Sequence, residues 1–123
     1  MKNMPPKVKI TKEMIVDAAF EIARSEGAEN INARTVSKKL GCSTQPVMYH
    51  FKTIEELKKT VYVKADGYHS EYITNIQGEN PMKDIGLNYI RFAQTEKNLF
   101  RFLFQTNEFI GKNISELINS EEL

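Results

Sequence analysis

The stretch 40–57, LGCSTQPVMYHFKTIEEL, limits the possible folds more than any other part of the chain, because it places several helix boundaries within 18 residues. Gly41 lets the chain reverse without a Cβ clash. Ser43 is a suitable N-cap for a short helix over residues 44–50. Pro46 falls in the first turn of that helix, where its missing N–H costs nothing. The stretch therefore predicts a helix that ends at a glycine turn, followed at once by a second helix of barely two turns.

The rest of the chain has the apolar periodicity and the end signals of helices, with no strand-like alternation. Thr11, Asn32 and Asn80 are suitable N-caps, and Thr53 forms a capping-box pattern with Glu56. The predicted helices cover residues 12–26, 33–40, 44–50, 54–76 and 81–95, then the sequence NLFRFLFQ and a weaker segment containing Ile114, Leu117 and Ile118. The predicted fold class is therefore all-α.

A helix, a glycine turn and a short capped helix form the helix-turn-helix arrangement, in which the second helix enters the major groove of DNA. The side chains spaced to hold the two helices together are Val36, Leu40, Cys42 and Val47. The side chains left facing outward from the second helix are Thr44, Gln45, Pro46 and Tyr49. These types suit base edges, since an amide pairs with adenine, a hydroxyl with several groups, and apolar carbons with a thymine methyl.

Basic residues are concentrated in the first half of the chain, although its net charge is only +1. Residues 1–65 contain 12 Lys/Arg and 7 Asp/Glu, a balance of +5, whereas residues 66–123 contain 5 and 9, a balance of −4. A basic first half is what a surface that binds a polyanion requires. The alternative explanation is that the lysines only solvate helix faces.

Composition argues against several classes of protein. With 41% hydrophobic and 27% charged residues, 123 residues suit one soluble globular domain, or a small domain with part of a second. The basic N-terminus lacks the apolar run of a signal peptide, and no apolar stretch approaches the roughly 18 residues that span a membrane. A cytoplasmic protein is expected. Cys42 is the single cysteine, and no zinc-binding or catalytic motif is present, so no disulfide, metal, cofactor or enzyme activity is expected.

The run 15–57, IVDAAFEIARSEGAENINARTVSKKLGCSTQPVMYHFKTIEEL, closely resembles the N-terminal domain of TetR-family transcriptional regulators. The shared motifs are I-x-x-A-A in the first helix, the glycine that ends this helix, LGCS at the turn, and YHF followed by KTIEEL. A looser similarity extends through NLFRFLF, which looks like the sixth-helix region of the family's regulatory domain. The resemblance implies a three-helix helix-turn-helix domain followed by a helical ligand-binding and dimerisation domain.

Three parts are expected on this basis. Residues 1–10 are expected to form a flexible basic tail, and residues 11–57 the DNA-binding domain, which continues into a connecting helix over residues 54–76. Residues 77–123 are expected to form part of the regulatory domain. Because members of the family are usually longer, the sequence is expected to be truncated.

The pattern and the resemblance together assign DNA binding to a group of residues at and around the second helix. The predicted DNA-binding residues are Arg34, Thr35, Ser43, Thr44, Gln45, Pro46, Tyr49, His50 and Lys52. Arg34 matches a family position that touches the operator, and the His50 imidazole is placed to donate to a phosphate. The alternative for these residues is ordinary polarity near helix ends.

Two positions depart from the family pattern. Met48 stands where a tyrosine is usual, and Ile54 stands where a lysine is usual. The family's residues at these positions mainly contact DNA phosphates. Tyr49, Lys52 and Lys58 are expected to replace those contacts in part.

The second half of the chain is rich in aromatic residues, and two explanations remain open for them. They pack as core between helices, or, as the resemblance implies, they line a pocket for a small apolar effector. The predicted effector-binding residues are Tyr89, Phe92, Phe100 and Phe104, with Phe109 in the same region.

The predicted function is that of a homodimeric repressor that reads a double-stranded DNA operator with the helix 44–50 and is released by the effector. The alternative is a helical adaptor that binds another protein and has no DNA-binding function.

Overall fold

The computed structural model describes residues 9–106, and within this range the chain forms α-helices, one 3-10 turn and no strand. The elements are α1 (Lys12–Ser25), the 3-10 turn (Ala28–Asn30), α2 (Ala33–Leu40), α3 (Gln45–His50), α4 (Ile54–Ile73), α5 (Pro81–Thr95) and α6 (Lys97–Phe104). The predicted all-α class is confirmed. The weak helix predicted in the tail and Phe109 lie outside the described residues.

Helix boundaries that depend on neighbouring residues lie where they were predicted from the sequence. A boundary that depends on a contact with another helix does not. The bounds of α2 and α5 are those predicted. Helix α4 ends at Ile73 instead of residue 76, because the amide of Asn88 on α5 donates to the carbonyls of Ile73 and Asn75 at 3.3 and 3.0 Å. The first bond satisfies the last carbonyl of the helix, and the second satisfies a carbonyl just beyond its end.

The turn between α2 and α3 depends on glycine for a conformational reason. Gly41 has φ +72, the left-handed conformation that a side chain disfavours, yet a Cβ there would meet nothing within 4 Å. The clash that the glycine avoids is therefore the local one of the left-handed conformation, between a Cβ and the adjacent backbone. Of the four residues predicted to hold the two helices together, Val36 and Val47 are fully buried, while Leu40 and Cys42 are only half-buried.

The helices share one continuous hydrophobic core. Helices α1 to α4 contribute residues such as Ile15, Val36 and Leu57, and the second half adds Phe92 and Leu99 to the same cluster. The predicted division into a DNA-binding and a regulatory domain stays a prediction. The common core means that the α2–α3 unit is held on a scaffold to which α5 and α6 also belong.

Polar contacts also tie the second half to α1. Glu96, between α5 and α6, accepts hydrogen bonds from Nε and Nη2 of Arg24 at 3.0 and 2.7 Å and from the Tyr68 hydroxyl at 3.0 Å. The Glu96 side chain is only 10% exposed. A second ion pair joins Arg101 on α6 to Glu29 in the 3-10 turn at 3.2 Å. Both contacts attach α6 to the end of α1 and the 3-10 turn.

Candidate nucleic-acid interface

Helix α2 begins with a reciprocal cap that engages one of the predicted DNA-binding residues. The Thr35 backbone N–H donates to Oδ1 of Asn32 at 2.8 Å, and the Asn32 backbone N–H donates to the Thr35 hydroxyl at 3.1 Å. The same hydroxyl donates to the Asn30 carbonyl at 2.8 Å. The structure therefore gives the Thr35 hydroxyl a capping function, and its predicted DNA contact stays a prediction. Arg34, one position earlier, is exposed.

Helix α3 is attached to the core by one fully buried side chain, that of Val47. Thr44 and Gln45 are exposed and Tyr49 is 74% exposed, as predicted, whereas Pro46 is half-buried. Gln45 and Tyr49 are four positions apart and so lie on the same face of the helix. This face presents an amide and a phenol to solvent.

The start of α3 differs slightly from the prediction. The helix begins at Gln45, and Thr44 occupies the N-cap position without a side-chain capping bond. The Ser43 hydroxyl accepts a hydrogen bond from the Gln45 N–H at 3.3 Å. Ser43 therefore still satisfies a free N–H at this end, as a capping residue does.

His50, at the end of α3, is engaged within the protein. Its Nε2 lies 3.1 Å from the carbonyl oxygen of Ile10. A carbonyl only accepts, so Nε2 carries the proton and donates. Nε2 is therefore already in use, and the phosphate contact predicted for His50 is not available to this atom in the observed arrangement.

A groove of about 590 Å³ runs between α3 and the residues that precede α1. It is lined by Lys9, Ile10, Ser43, Gln45, Pro46, Tyr49 and His50. Five of these are predicted DNA-binding residues, so the structure brings much of the predicted set together. Lys9 and Ile10 were missed, because nothing in the spacing of the sequence places them beside a helix 40 residues away.

The basic residues near α3 do not all lie at this surface. Lys52 is exposed, with its Nζ 5.8 Å from the centre of the Tyr49 ring, and its backbone N–H donates to Oε1 of Glu56 at 3.0 Å. That bond replaces half of the predicted capping box, in which Glu56 would have accepted from residue 53. Lys58 instead lines a small cavity with Asn98 of α6.

The two departures from the family pattern have different surroundings. Met48 is partly exposed on α3. Ile54 is half-buried and packs against the core. The methyl groups of Ile54 therefore contribute to packing at the start of α4, where a lysine would have contributed charge.

Three of the four residues predicted to bind an effector surround a buried histidine, and the fourth, Phe100, lies 5.1 Å from Phe104 between ring centres. Phe92 is fully buried, whereas Tyr89 and Phe104 are 42% and 39% exposed and Phe100 is half-buried. The His69 ring lies 4.6 Å from Phe92, 5.1 Å from Phe104 and 5.2 Å from Tyr89 between ring centres. His69 was not assigned to this cluster from the sequence. Its Nε2 is buried without a hydrogen-bond partner.

Burial lowers the pKa of His69, and the charge of Asp66 opposes this only in part. An unfolded chain then takes up a proton more readily than the folded one, so stability is full above the ordinary histidine pKa of about 6.5 and falls as the pH drops below it. We expect His69→Leu to lessen the fall in unfolding midpoint between roughly pH 7.5 and 5.5. His50→Gln removes the only other histidine and serves as the control. If both variants lessen the fall of the unfolding midpoint equally, the pH dependence of stability does not come from His69.

Within residues 9–106, no helix combines the length and the apolar character needed to cross a membrane. In the same range, no three side chains of His, Cys, Asp or Glu are grouped so as to hold a metal ion.

Helices α2 and α3, joined by a left-handed glycine and followed by α4, form a helix-turn-helix arrangement. The chain is 28% identical over 94 residues to a Bacillus subtilis (strain 168) protein named "Uncharacterized HTH-type transcriptional regulator YobS". The match covers 73% of this chain and 49% of the relative, so the chain spans about half the length of the curated relative that it matches. No family profile matches the chain. No solved structure matches it.

Proposed function

We propose that this chain binds duplex DNA as a transcriptional regulator of the TetR type, with α3 reading bases in the major groove. The observation that carries the proposal is the exposed polar face of a short helix whose one fully buried residue is Val47. The similarity to a protein named as a helix-turn-helix regulator supports the same function. The basic balance of residues 1–65 supports a polyanionic partner.

The residues at α3 divide into base contacts and backbone contacts. The Gln45 amide is suited to the edge of an adenine, and Thr44 and Tyr49 to neighbouring polar groups. Lys52 and Arg34 lie outside α3 and are exposed cations, which suits them to phosphates. Phosphate contacts fix the register of the helix, and base contacts determine the sequence that is read.

A homodimer is part of the proposal because α3 is short. Its six residues extend roughly 9 Å, which corresponds to about three base pairs. Reading so few base pairs gives little specificity, and a second copy doubles the number. Two copies of α3 would then sit about 34–36 Å, or a multiple of that distance, apart on the DNA.

Release of a repressor by a small apolar effector is the other part of the proposal, and it rests on the resemblance. The partly exposed rings of Tyr89 and Phe104, beside the buried Phe92, support an apolar site in this half of the chain. Such a ligand changes DNA binding only to the extent that it prefers one conformation of the protein over another. A cytoplasmic location accompanies this function.

The second candidate function is a helical adaptor that binds another protein. It is favoured by apolar side chains exposed on α5, where Met82 is 84% and Ile90 is 57% exposed. DNA binding that weakens steeply with salt distinguishes the two functions, because release of counterions from phosphates accompanies only the first.

The test compares two substitutions at the proposed interface. We expect Gln45→Ala to weaken binding to a selected duplex by about 1–3 kcal/mol and to relax the preference at one base position. Lys52→Ala is expected to weaken binding to all duplexes alike and to reduce the salt dependence by about one unit of slope. Selection from a random duplex library, followed by fluorescence anisotropy titrations, measures both effects. Equal losses on selected and random duplexes for Gln45→Ala would remove this residue from the base-reading set.

A further inference from the structure

The residues that precede α1 are held beside α3 by contacts at Ile10 and Thr11. His50 donates from Nε2 to the Ile10 carbonyl at 3.1 Å. Ile10 itself is half-buried and packs against the core. The next residue, Thr11, caps α1 by accepting from the Met14 N–H at 3.1 Å. These contacts fix the path of the chain at Ile10, the residue next to Lys9.

Lys9 reaches the same surface as the base-reading candidates. It is exposed and lines the groove that Gln45 and Tyr49 also line. None of the seven described residues lining this groove is acidic. Because no carboxylate lines this groove, the ammonium group of Lys9 is suited to binding a phosphate.

We propose that His50 is a positioning residue, which holds residues 9 and 10 against α3 so that the Lys9 ammonium binds a DNA phosphate at the flank of the base contacts. The inference rests on the proposed DNA-binding function. It replaces the sequence-based expectation that His50 itself donates to a phosphate. In this arrangement the DNA contact belongs to Lys9, and His50 acts on DNA only through the Ile10 carbonyl.

The experiment measures how the affinity for a fluorescein-labelled duplex of mixed sequence depends on salt. A lysine that neutralises one phosphate contributes about 0.9 to the slope of log affinity against log salt, whatever the sequence. We expect Lys9→Gln to reduce the slope by about this amount between roughly 50 and 200 mM salt. Lys83→Gln, an exposed lysine on α5, is the matched control and is expected to leave the slope unchanged.

Substitutions of His50 separate positioning from direct contact. His50→Ala removes the bond to Ile10 and is expected to reduce the slope as Lys9→Gln does. His50→Gln keeps a donor near the position of Nε2 and is expected to retain the wild-type slope. In the double variant Lys9→Gln/His50→Ala, the slope is expected to fall no further than in either single variant. Circular dichroism unfolding of each variant shows whether the fold is intact, and Lys9→Gln, a surface change, tests the phosphate contact even where His50→Ala unfolds.

Three results would contradict the inference, and each contradicts a different part of it. An unchanged slope in Lys9→Gln removes the phosphate contact. A normal slope in a folded His50→Ala, or a further loss in the double variant, shows that His50 does not act through Lys9. If the wild-type chain binds the duplex without salt dependence, or does not bind it, the proposed function fails and the inference fails with it.

Discussion

Replacing Phe92 with alanine is expected to lower the free energy of unfolding by about 3–5 kcal/mol. The Phe92 side chain is fully buried, and its ring centre lies 4.6 Å from that of His69 and 5.2 Å from that of Tyr72. Truncation would remove these contacts and leave a cavity that the rigid surroundings fill only in part. Urea unfolding, followed by circular dichroism at neutral pH, measures the loss.

Phe104 provides the matched control, because it belongs to the same cluster but is 39% exposed. We expect Phe104→Ala to cost about 1–2 kcal/mol, in proportion to the smaller apolar area removed from water. A large difference between the two variants would identify Phe92 as core and leave Phe104 as the more accessible part of the proposed effector site. Equal costs would mean that Phe104 is as tightly packed as Phe92 and is a poor candidate for ligand contact.

Replacing Glu96 with alanine is expected to cost about 2–3 kcal/mol. The Glu96 carboxylate is the common acceptor for Arg24 and Tyr68, so its removal leaves both without that acceptor and, of the bonds among the three, keeps only the one from Nη2 of Arg24 to the Tyr68 hydroxyl at 3.2 Å. The hydrogen bond with Glu96 raises the pKa of Arg24, with burial opposing it, so the guanidinium stays charged. The cost lies below that of a fully buried pair because the Arg24 side chain is 40% exposed and water compensates part of the loss.

Glu21 is the control for this prediction, since it also pairs with Arg24 but at 3.7 Å and on the surface. Glu21→Ala is expected to change stability by no more than about 0.5 kcal/mol. Urea unfolding of both variants gives the comparison. Similar losses for the two would show that the bidentate geometry at Glu96 contributes nothing beyond an ordinary surface ion pair.

The sequence predicted those features that neighbouring residues determine. Asn32 and Gly41 delimit α2 by capping and turn chemistry that acts within a few positions, and both ends were predicted correctly. The end of α4 was misplaced because the amide of Asn88, from another helix, satisfies its last carbonyl. Packing partners that are distant in sequence leave no periodic signal, so such a boundary cannot be inferred from local patterns.

The candidate site shows the same division. The outward orientation of Gln45 and Tyr49 follows from helical spacing around Val47, and it was predicted correctly. The engagement of His50 was not predicted, because the carbonyl that it contacts is 40 residues earlier in the chain. Every residue has a carbonyl, so the sequence gives no reason to select that of Ile10.

The attachment of α3 through one fully buried residue has a consequence for how such a protein can diverge. Substitutions at exposed positions change stability by roughly 0.5 kcal/mol or less. Gln45 and Tyr49 can therefore be exchanged for other side chains at little cost to the fold, while Val47 must remain apolar. For the proposed base-reading function of α3, gene duplication followed by a few such exchanges would give paralogues with different target sequences on an unaltered scaffold.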